Sequence, residues 1–401
     1  MPIDLRVLPA KTSLPKSPKN KRWIFFIFIT VVLTGGSSVH FISDKYSMYS
    51  LWYLCCAIVF PFLLVLTIYG FRLRLYENQR DYVSSWNQNY EQMRERLITH
   101  GQCPIAILAA SYVTPLGCNH IAKALLKGNA SLMHVCLPVD NITMRLSQLS
   151  PPAKDYNKNE YKSRLITQFK KLIPSIEDEL IYYAKILPIK MRIKHNAILQ
   201  NQDVLSIWHN LATKTAFIKD VEFAQEDDGL LWIDQWLDTH DNSNLILSIE
   251  INMYAEPLSD VAESVSALLL APNEVQNKNN LSPLAFIHRP VQITNISESV
   301  ADALTWGRVL DKTSSFFIWQ SQFPSSLIKD VMIALDKMAM PIYEERIHRL
   351  DDSLGTPGCA VGNITMIIAA ENARFSDKAQ FLLLKDRTPQ CCVIQVVQGD
   401  K

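Results

Sequence analysis

Two uncharged apolar runs near the N-terminus constrain this chain more than any other feature. Residues 23–42, WIFFIFITVVLTGGSSVHFI, contain no Lys, Arg, Asp or Glu, and about 20 such residues suffice to cross the hydrocarbon core of a bilayer. After the connector SDKYSMYS, residues 51–71, LWYLCCAIVFPFLLVLTIYGF, repeat the pattern. The small residues TGGSS also fit the cleavage region of a secretory leader, but a second run directly afterwards argues for a two-helix transmembrane hairpin. Residues 1–22 form a basic tail, with Arg6, Lys11, Lys16, Lys19, Lys21 and Arg22 against Asp4, and four prolines discourage regular structure there. Arg72 and Arg74 follow the second run. The positive-inside bias therefore expects both termini and the rest of the chain on the cytoplasmic side of a membrane.

Beyond these runs the composition is ordinary. Forty Lys and Arg against 39 Asp and Glu give a net charge of +1, which supplies no field for gripping nucleic acid. The 401 residues leave ample chain for one large or two ordinary domains. Eight cysteines occur without C-x-x-C or a Cys/His zinc spacing, so reduced thiols in a reducing compartment are expected. Cys391 and Cys392, adjacent in an apolar run, read as strand filling.

Residues 72–98 carry Val83, Trp86, Tyr90, Met93 and Leu97 at spacings of three and four, which predicts a juxtamembrane helix with one apolar face. That face either packs on the protein's own body or, less economically over so few heptads, joins a coiled coil. From residue 99 onward strand and helix signals alternate. CPIAILAASYVT, NLILSIEI, SSFFIWQ, AQFLLL and CCVIQVV read as strands, while DDGLLWIDQWLDTH, ESVADALTWGRVL, SSLIKDVMIALDKMAM and NITMIIAAENARF read as helices. The Asn-rich stretch at 273–283 reads as a surface loop. Alternation of this kind argues for α/β layers around a mixed sheet.

Three of these stretches, in order, resemble the thiolase-like superfamily and its β-ketoacyl synthases. PIAILAASYVTPLGCNHIAKALLKGNASL (104–132) is similar to the opening strand, turn and helix of that family. DGLLWIDQWLDTHDNSNLILSIEIN resembles the helix and strand that follow its nucleophile, and LGTPGCAVGNITMIIAA its C-terminal glycine loop and helix. The resemblance implies a layered α/β body of two pseudo-repeated halves, about 99–283 and 284–401, and implies a homodimer.

The same resemblance implies a cysteine nucleophile at a helix tip, two assisting imidazoles and a glycine-rich loop near the C-terminus. This chain departs from the pattern at each place. Where the nucleophile belongs stand Gln225, Glu226, Asp227 and Asp228, which suit capping of a helix N-terminus. Thr356 replaces one histidine, Gln320 with Ser321 and Gln322 stands where the other is due, and KDRTPQ occupies the glycine-rich loop. Glu226, Asp227, Gln320 and Thr356 are thus degenerate catalytic positions, and no catalytic residue is assigned. Cys359 falls where alanine is usual, so a small packed residue is expected rather than a displaced nucleophile. His348 is expected at the surface, and His195, His209, His240 and His288 are scattered without ligand spacing. The pairs Glu226–Asp228 and Asp351/Asp352 would form a Mg²⁺ or acid/base site only if brought together. No P-loop, G-x-G-x-x-G, G-x-S-x-G or H-E-x-x-H occurs, and no cofactor or metal is expected.

The expectation is therefore a non-catalytic, membrane-anchored thiolase-like accessory or adaptor protein with a protein partner. Two-span proteins bearing such bodies resemble accessory proteins of bacterial type VI secretion loci, including adaptors of lipase effectors, with DDGLLWIDQWLD as the most distinctive piece. That places the chain in a bacterial inner membrane. Trp208, Trp232, Trp236, Trp306 and Trp319 would be partner anchors if exposed, although core packing suits each. A membrane-bound acyltransferase using Cys359 or the 226–228 acids, and a small-molecule sensor using the ancestral pocket, stand as alternatives.

Overall fold

The computed structural model describes residues 3, 5–42, 51, 55–137, 142–153, 157–215, 217–218, 220–239, 244–309, 315–340 and 342–396. The connector between the two apolar runs and His240 lie outside them. The chain divides into two compact units, Ile3–Leu97 and Ile98–Lys401.

In the N-terminal unit, helix α1 spans Asn20–Ile42 and helix α2 begins at Phe60, ending at Gly101 in the second unit. α2 thus absorbs the expected 72–98 helix and runs back into the second apolar run without a break. Pro61 is tolerated because it sits in the first turn, where its missing N–H would have had no helical partner. Cys55–Val59 form a π-helical turn ahead of it. Trp23 and Tyr69 bring α1 and α2 together, with ring centroids 5.3 Å apart. No helix, over its described residues, is long and apolar enough to cross a membrane. The expected two-helix transmembrane hairpin is therefore not found among them. Gly35, Gly36 and Ser37 dilute the far end of α1, and the π turn divides the second run.

The stripe on α2 is not uniformly packed: Val83 is buried, but Met93 is 55% exposed. Part of it carries the basic tail. The Thr12 N–H donates to Asn87 Oδ1 (3.1 Å) and Asn87 Nδ2 to the Thr12 carbonyl (3.0 Å), while Lys11 lies over Tyr90 and pairs with Glu91. The tail, without regular structure beyond a 3-10 turn at Leu5–Val7, is thus held against the helix.

In the second unit one strand path is traced twice. The first half contains β1 (Ile105–Thr114), β2 (Ile189–His195), β3 (Val221–Phe223), β4 (Leu245–Asn252) and β5 (Ser264–Pro272). The second contains β6 (Ala285–Ile287), β7 (Phe317–Ser321), β8 (Ile347–Arg349), β9 (Gln380–Lys385) and β10 (Pro389–Gln395). The orders are β3-β2-β4-β5-β1 and β8-β7-β9-β10-β6, joined where β6 pairs with β1. In each half the first two pairings are parallel and the next two antiparallel.

The helices repeat as well. α3 (Lys158–Leu172), α4 (Asn201–Leu211) and α5 (Leu231–Leu237) connect the strands of the first half. α6 (Ile296–Trp306), α7 (Ser325–Lys337) and α8 (Val361–Ser376) do so in the second. Alternate residues of each strand then sort the layers. Ile107, Leu268, Trp319 and Leu382 join α5 and α8 in one central core, while Leu108 and Leu269 face α3 and α4, and Ile318 and Leu383 face α6 and α7. The sheet thus folds over a central helical layer and carries further helices outside.

Local sequence explains most elements. α3 opens at Asn157, whose side chain accepts from the Asn159 N–H, and presents Tyr161, Leu165, Phe169 and Leu172 to the core at helical spacing. α8 is buried on all sides from Val361 to Ala370, with the polar Asn363 and Thr365 among its buried residues. Cys391 and Cys392 fill opposite faces of β10 and are both buried. Two readings need correction. The stretch at 273–283 is not a plain surface loop: Asn273–Lys278 are helical and Leu281 is buried. The sequence IKMRIKH, whose alternation of apolar and basic residues escaped the strand assignment, is the buried strand β2.

Candidate functional site

The N-terminal ends of the two central helices, α5 and α8, meet. A Cβ placed on Gly362 would lie 3.2 Å from the Gly229 carbonyl and 3.3 Å from Glu250 Oε1, so a side chain there would press the two ends apart by a few tenths of an ångström. The junction lies over the charged face of β2 and β4, where Arg192, Lys194, Ser248 and Glu250 point toward the central layer while Met191, Ile193, Leu247 and Ile249 fill the outer one.

Arg192 is the hub. Its Nε donates to Asp227 Oδ2 (2.7 Å), its Nη1 to Ser248 Oγ (3.0 Å) and Glu250 Oε1 (3.3 Å), and its guanidinium lies 4.4 Å from the centroid of the Trp232 ring. Lys194 donates to the Asp227 carbonyl (2.9 Å) and forms a close pair with Asp386. Burial pushes the Glu250 carboxyl above the usual range, and Arg192 and Lys194 oppose that shift.

The helix amides are already occupied. Gly229 N–H donates to Asp386 Oδ2 (3.0 Å), Leu230 N–H to Gln390 Oε1 (2.8 Å) and Asn363 N–H to Glu250 Oε2 (2.8 Å). Gln390 is in turn anchored by the Asp228 carbonyl and carboxylate, and Asp228 accepts from the Thr388 N–H. The segment KDRTPQ therefore supplies Asp386 and Gln390, which bond the amides at the start of α5.

Cys359 lies beside this network. Its thiol donates to the Ile251 carbonyl (3.3 Å), and burial, reinforced by Glu250, pushes its pKa up to about 12. Burial suppresses the thiolate rather than exposing it. Gly358 before it has φ +55°, and a Cβ there would stand 2.5 Å from Asn252 Oδ1, which fixes the turn that carries the cysteine.

Of the four positions that the sequence reading singles out as degenerate, Glu226, Asp227, Gln320 and Thr356, only Asp227 enters this network. Glu226 is exposed and pairs with Arg387 (2.8 Å). Gln320 is buried in β7, and Thr356 donates to the Asp260 carbonyl (3.0 Å) as part of a strand-like bridge with Val261. The acidic pairs are not brought together: Asp351 accepts from the Gln322 N–H (2.7 Å), while Asp352 pairs with Arg349 (3.8 Å). Among the described residues no cluster of His, Cys, Asp and Glu is arranged to hold a metal.

His348 is not a surface residue. It is half-buried against Trp319, 5.0 Å between centroids, and stacked on Phe317. His195 is buried with its ring bonded to Asn201, and His288 is buried in the core with its pKa depressed to about 4, chiefly by burial. Trp208, Trp232, Trp306 and Trp319 are buried and Trp236 stacks on Trp232, so none is an exposed partner anchor.

No family model matches the chain, and no curated protein matches it. Solved structures do. The ketosynthase of module 1 of the bacillaene synthase from Bacillus amyloliquefaciens is similar with a TM-score of 0.52 at 10% identity, over 75% of this chain and 77% of that one. An oxazolomycin ketosynthase domain from Streptomyces albus gives 0.52 at 9% identity, over 75% of each chain. A β-ketoacyl synthase from Burkholderia phymatum gives 0.50 at 11% identity, over 74% of this chain and all of that one. The fold is thus the mixed α/β, thiolase-like fold of the ketosynthases. At these identities the likeness is one of architecture alone.

The residues of the network that sequence reasoning missed, Arg192, Lys194, Glu250, Asn363, Asp386 and Gln390, had one local signal. Charged residues at alternate positions of IKMRIKH fit a strand with one polar face. Nothing local indicated that this face would be buried.

Proposed function

We propose that this protein is a non-catalytic thiolase-like body carried by a membrane-associated N-terminal unit, and that it works by binding a protein partner. The observation that carries the non-catalytic reading is the occupancy of the Gly229, Leu230 and Asn363 amides by Asp386, Gln390 and Glu250. An acyl oxyanion at this junction would have to displace two carboxylates and an amide from bonds they already make. Cys359, protonated and hydrogen-bonded to a backbone carbonyl, is no better placed as a nucleophile.

Membrane association is supported by apolar side chains that the N-terminal unit leaves uncovered. Phe25, Phe26, Phe28 and Leu33 on α1, and Leu64 and Phe71 on α2, are each more than 60% exposed. So large an apolar surface is unfavourable in water and favourable in lipid. With the basic tail and Arg72 marking the cytoplasmic side, the body belongs in the cytoplasm of a bacterium, at its inner membrane. The resemblance to type VI secretion accessory proteins directs the search for the partner to that machinery or its effectors.

The competing reading, a membrane-bound condensing enzyme, draws on the ketosynthase fold and the thiol beside the junction. Incubating the full chain with acyl-thioesters, followed by intact-mass measurement, decides between them. No stable adduct is expected. An acyl adduct that disappears in Cys359→Ala would establish the enzyme.

A further inference from the structure

The N-terminal unit contains a cleft of about 700 Å³ walled by the end of the basic tail, the start of α1 and one flank of α2. Lys19, Lys21 and Arg22 line it from one side, and Tyr69, Leu73 and Tyr76 from the other. No carboxylate is among its lining residues. The first turn of α1 is also free of acidic residues, so the positive end of a 23-residue helix dipole adds to the three cations.

The cleft occurs where the surface of the unit changes character. On the α1 side the exposed apolar stretch begins directly after it with Ile24, Phe25 and Phe26; on the α2 side Leu64, Ile68 and Phe71 precede or flank it. Trp23 and Tyr69, whose rings meet at a tilt near its rim, are the residue types that settle at the boundary between hydrocarbon and headgroups. A ligand seated here would place a negative charge among Lys19, Lys21 and Arg22 and continue as an apolar chain along α1 and α2.

We infer that this cleft binds the phosphate headgroup of an anionic phospholipid. The inference rests on the membrane-associated reading of the N-terminal unit and adds to it a defined lipid contact. A general attraction of basic residues to an anionic surface would depend on charge number alone. A site in the cleft depends on which charges are removed.

The test uses the full chain in nanodiscs of phosphatidylcholine alone or with phosphatidylglycerol, with retained lipid read by native mass spectrometry and stability by thermal unfolding. Phosphatidylglycerol is expected to be retained preferentially and to raise Tm. Lys19→Gln/Lys21→Gln/Arg22→Gln should weaken its apparent affinity about a hundredfold. Lys16→Gln/Arg74→Gln/Arg94→Gln, removing as many charges outside the cleft, should retain the preference. Equal loss in both variants, or equal retention of the two lipids, overturns the headgroup site. Inorganic phosphate reproducing the stabilisation in detergent without lipid would assign the cleft to a soluble phosphate and overturn the lipid reading. Failure of the wild-type chain to incorporate into phosphatidylcholine nanodiscs at all would sink the membrane reading itself, a distinct outcome.

Discussion

Arg192 is only 5% exposed, yet it satisfies two carboxylates and a hydroxyl drawn from two segments of chain, the loop before α5 and strand β4. A buried pair of this kind is weak evidence for net stability, but removing one partner strands the other. Glu250→Ala is therefore expected to cost about 3–5 kcal/mol. The double variant Arg192→Met/Glu250→Leu should cost clearly less than the sum of its single changes, measured by urea denaturation. Thiol chemistry follows the same logic of burial. Iodoacetamide at pH 8 should label the exposed Cys118 and Cys136 while leaving Cys359 slower by about three orders of magnitude, as peptide mapping would show. His288 adds a pH dependence. Its folded pKa of about 4 lies below its ordinary 6.5, so the unfolded chain takes up the proton first as pH falls. Stability is complete above about pH 6.5 and declines toward pH 4 by about 3 kcal/mol, and His288→Gln should flatten that slope in denaturation measured across the window.

Among the elements, α3 shows how far local sequence reaches. Its cap, its apolar face and its basic last turn are all readable from KNEYKSRLITQFKKL and the Asn before it. Asn157→Ala should cost about 1 kcal/mol and Leu165→Ala, at a fully buried position, about 2–5 kcal/mol, both by denaturant midpoint. The central helices were legible as helices, but the extent of α5 was not. α5 and α8 occupy equivalent places in the duplicated path, yet they have seven and 16 residues. The shortness of α5 is set at its start by Asp228 and Gly229, which are held by Gln390, Thr388 and Asp386 from a distant loop. His348 was misplaced for a similar reason. In isolation it is a polar residue in a polar stretch, whereas parallel pairing of β8 with β7 sets it against Trp319.

At the scale of the whole molecule, each of the three apolar cores draws only on residues from 105 onward. A chain comprising 98–401 is accordingly expected to fold without the N-terminal unit and to unfold cooperatively in detergent-free buffer, followed by circular dichroism. Aggregation of that chain with no thermal transition would contradict the separation of the two units. Short-range patterns were enough to expose the apolar N-terminal runs, the α/β alternation and the paired cysteines of β10, because periodicity, capping and residue identity act within a few positions. Only the tertiary structure decided what fills the junction of α5 and α8. Its bonds join residues 58, 113 and 192 positions apart, Arg192 to Glu250, Glu250 to Asn363 and Lys194 to Asp386. Sheet pairing and helix convergence create that proximity, and burial there turns a solvated pattern of charges into a closed network.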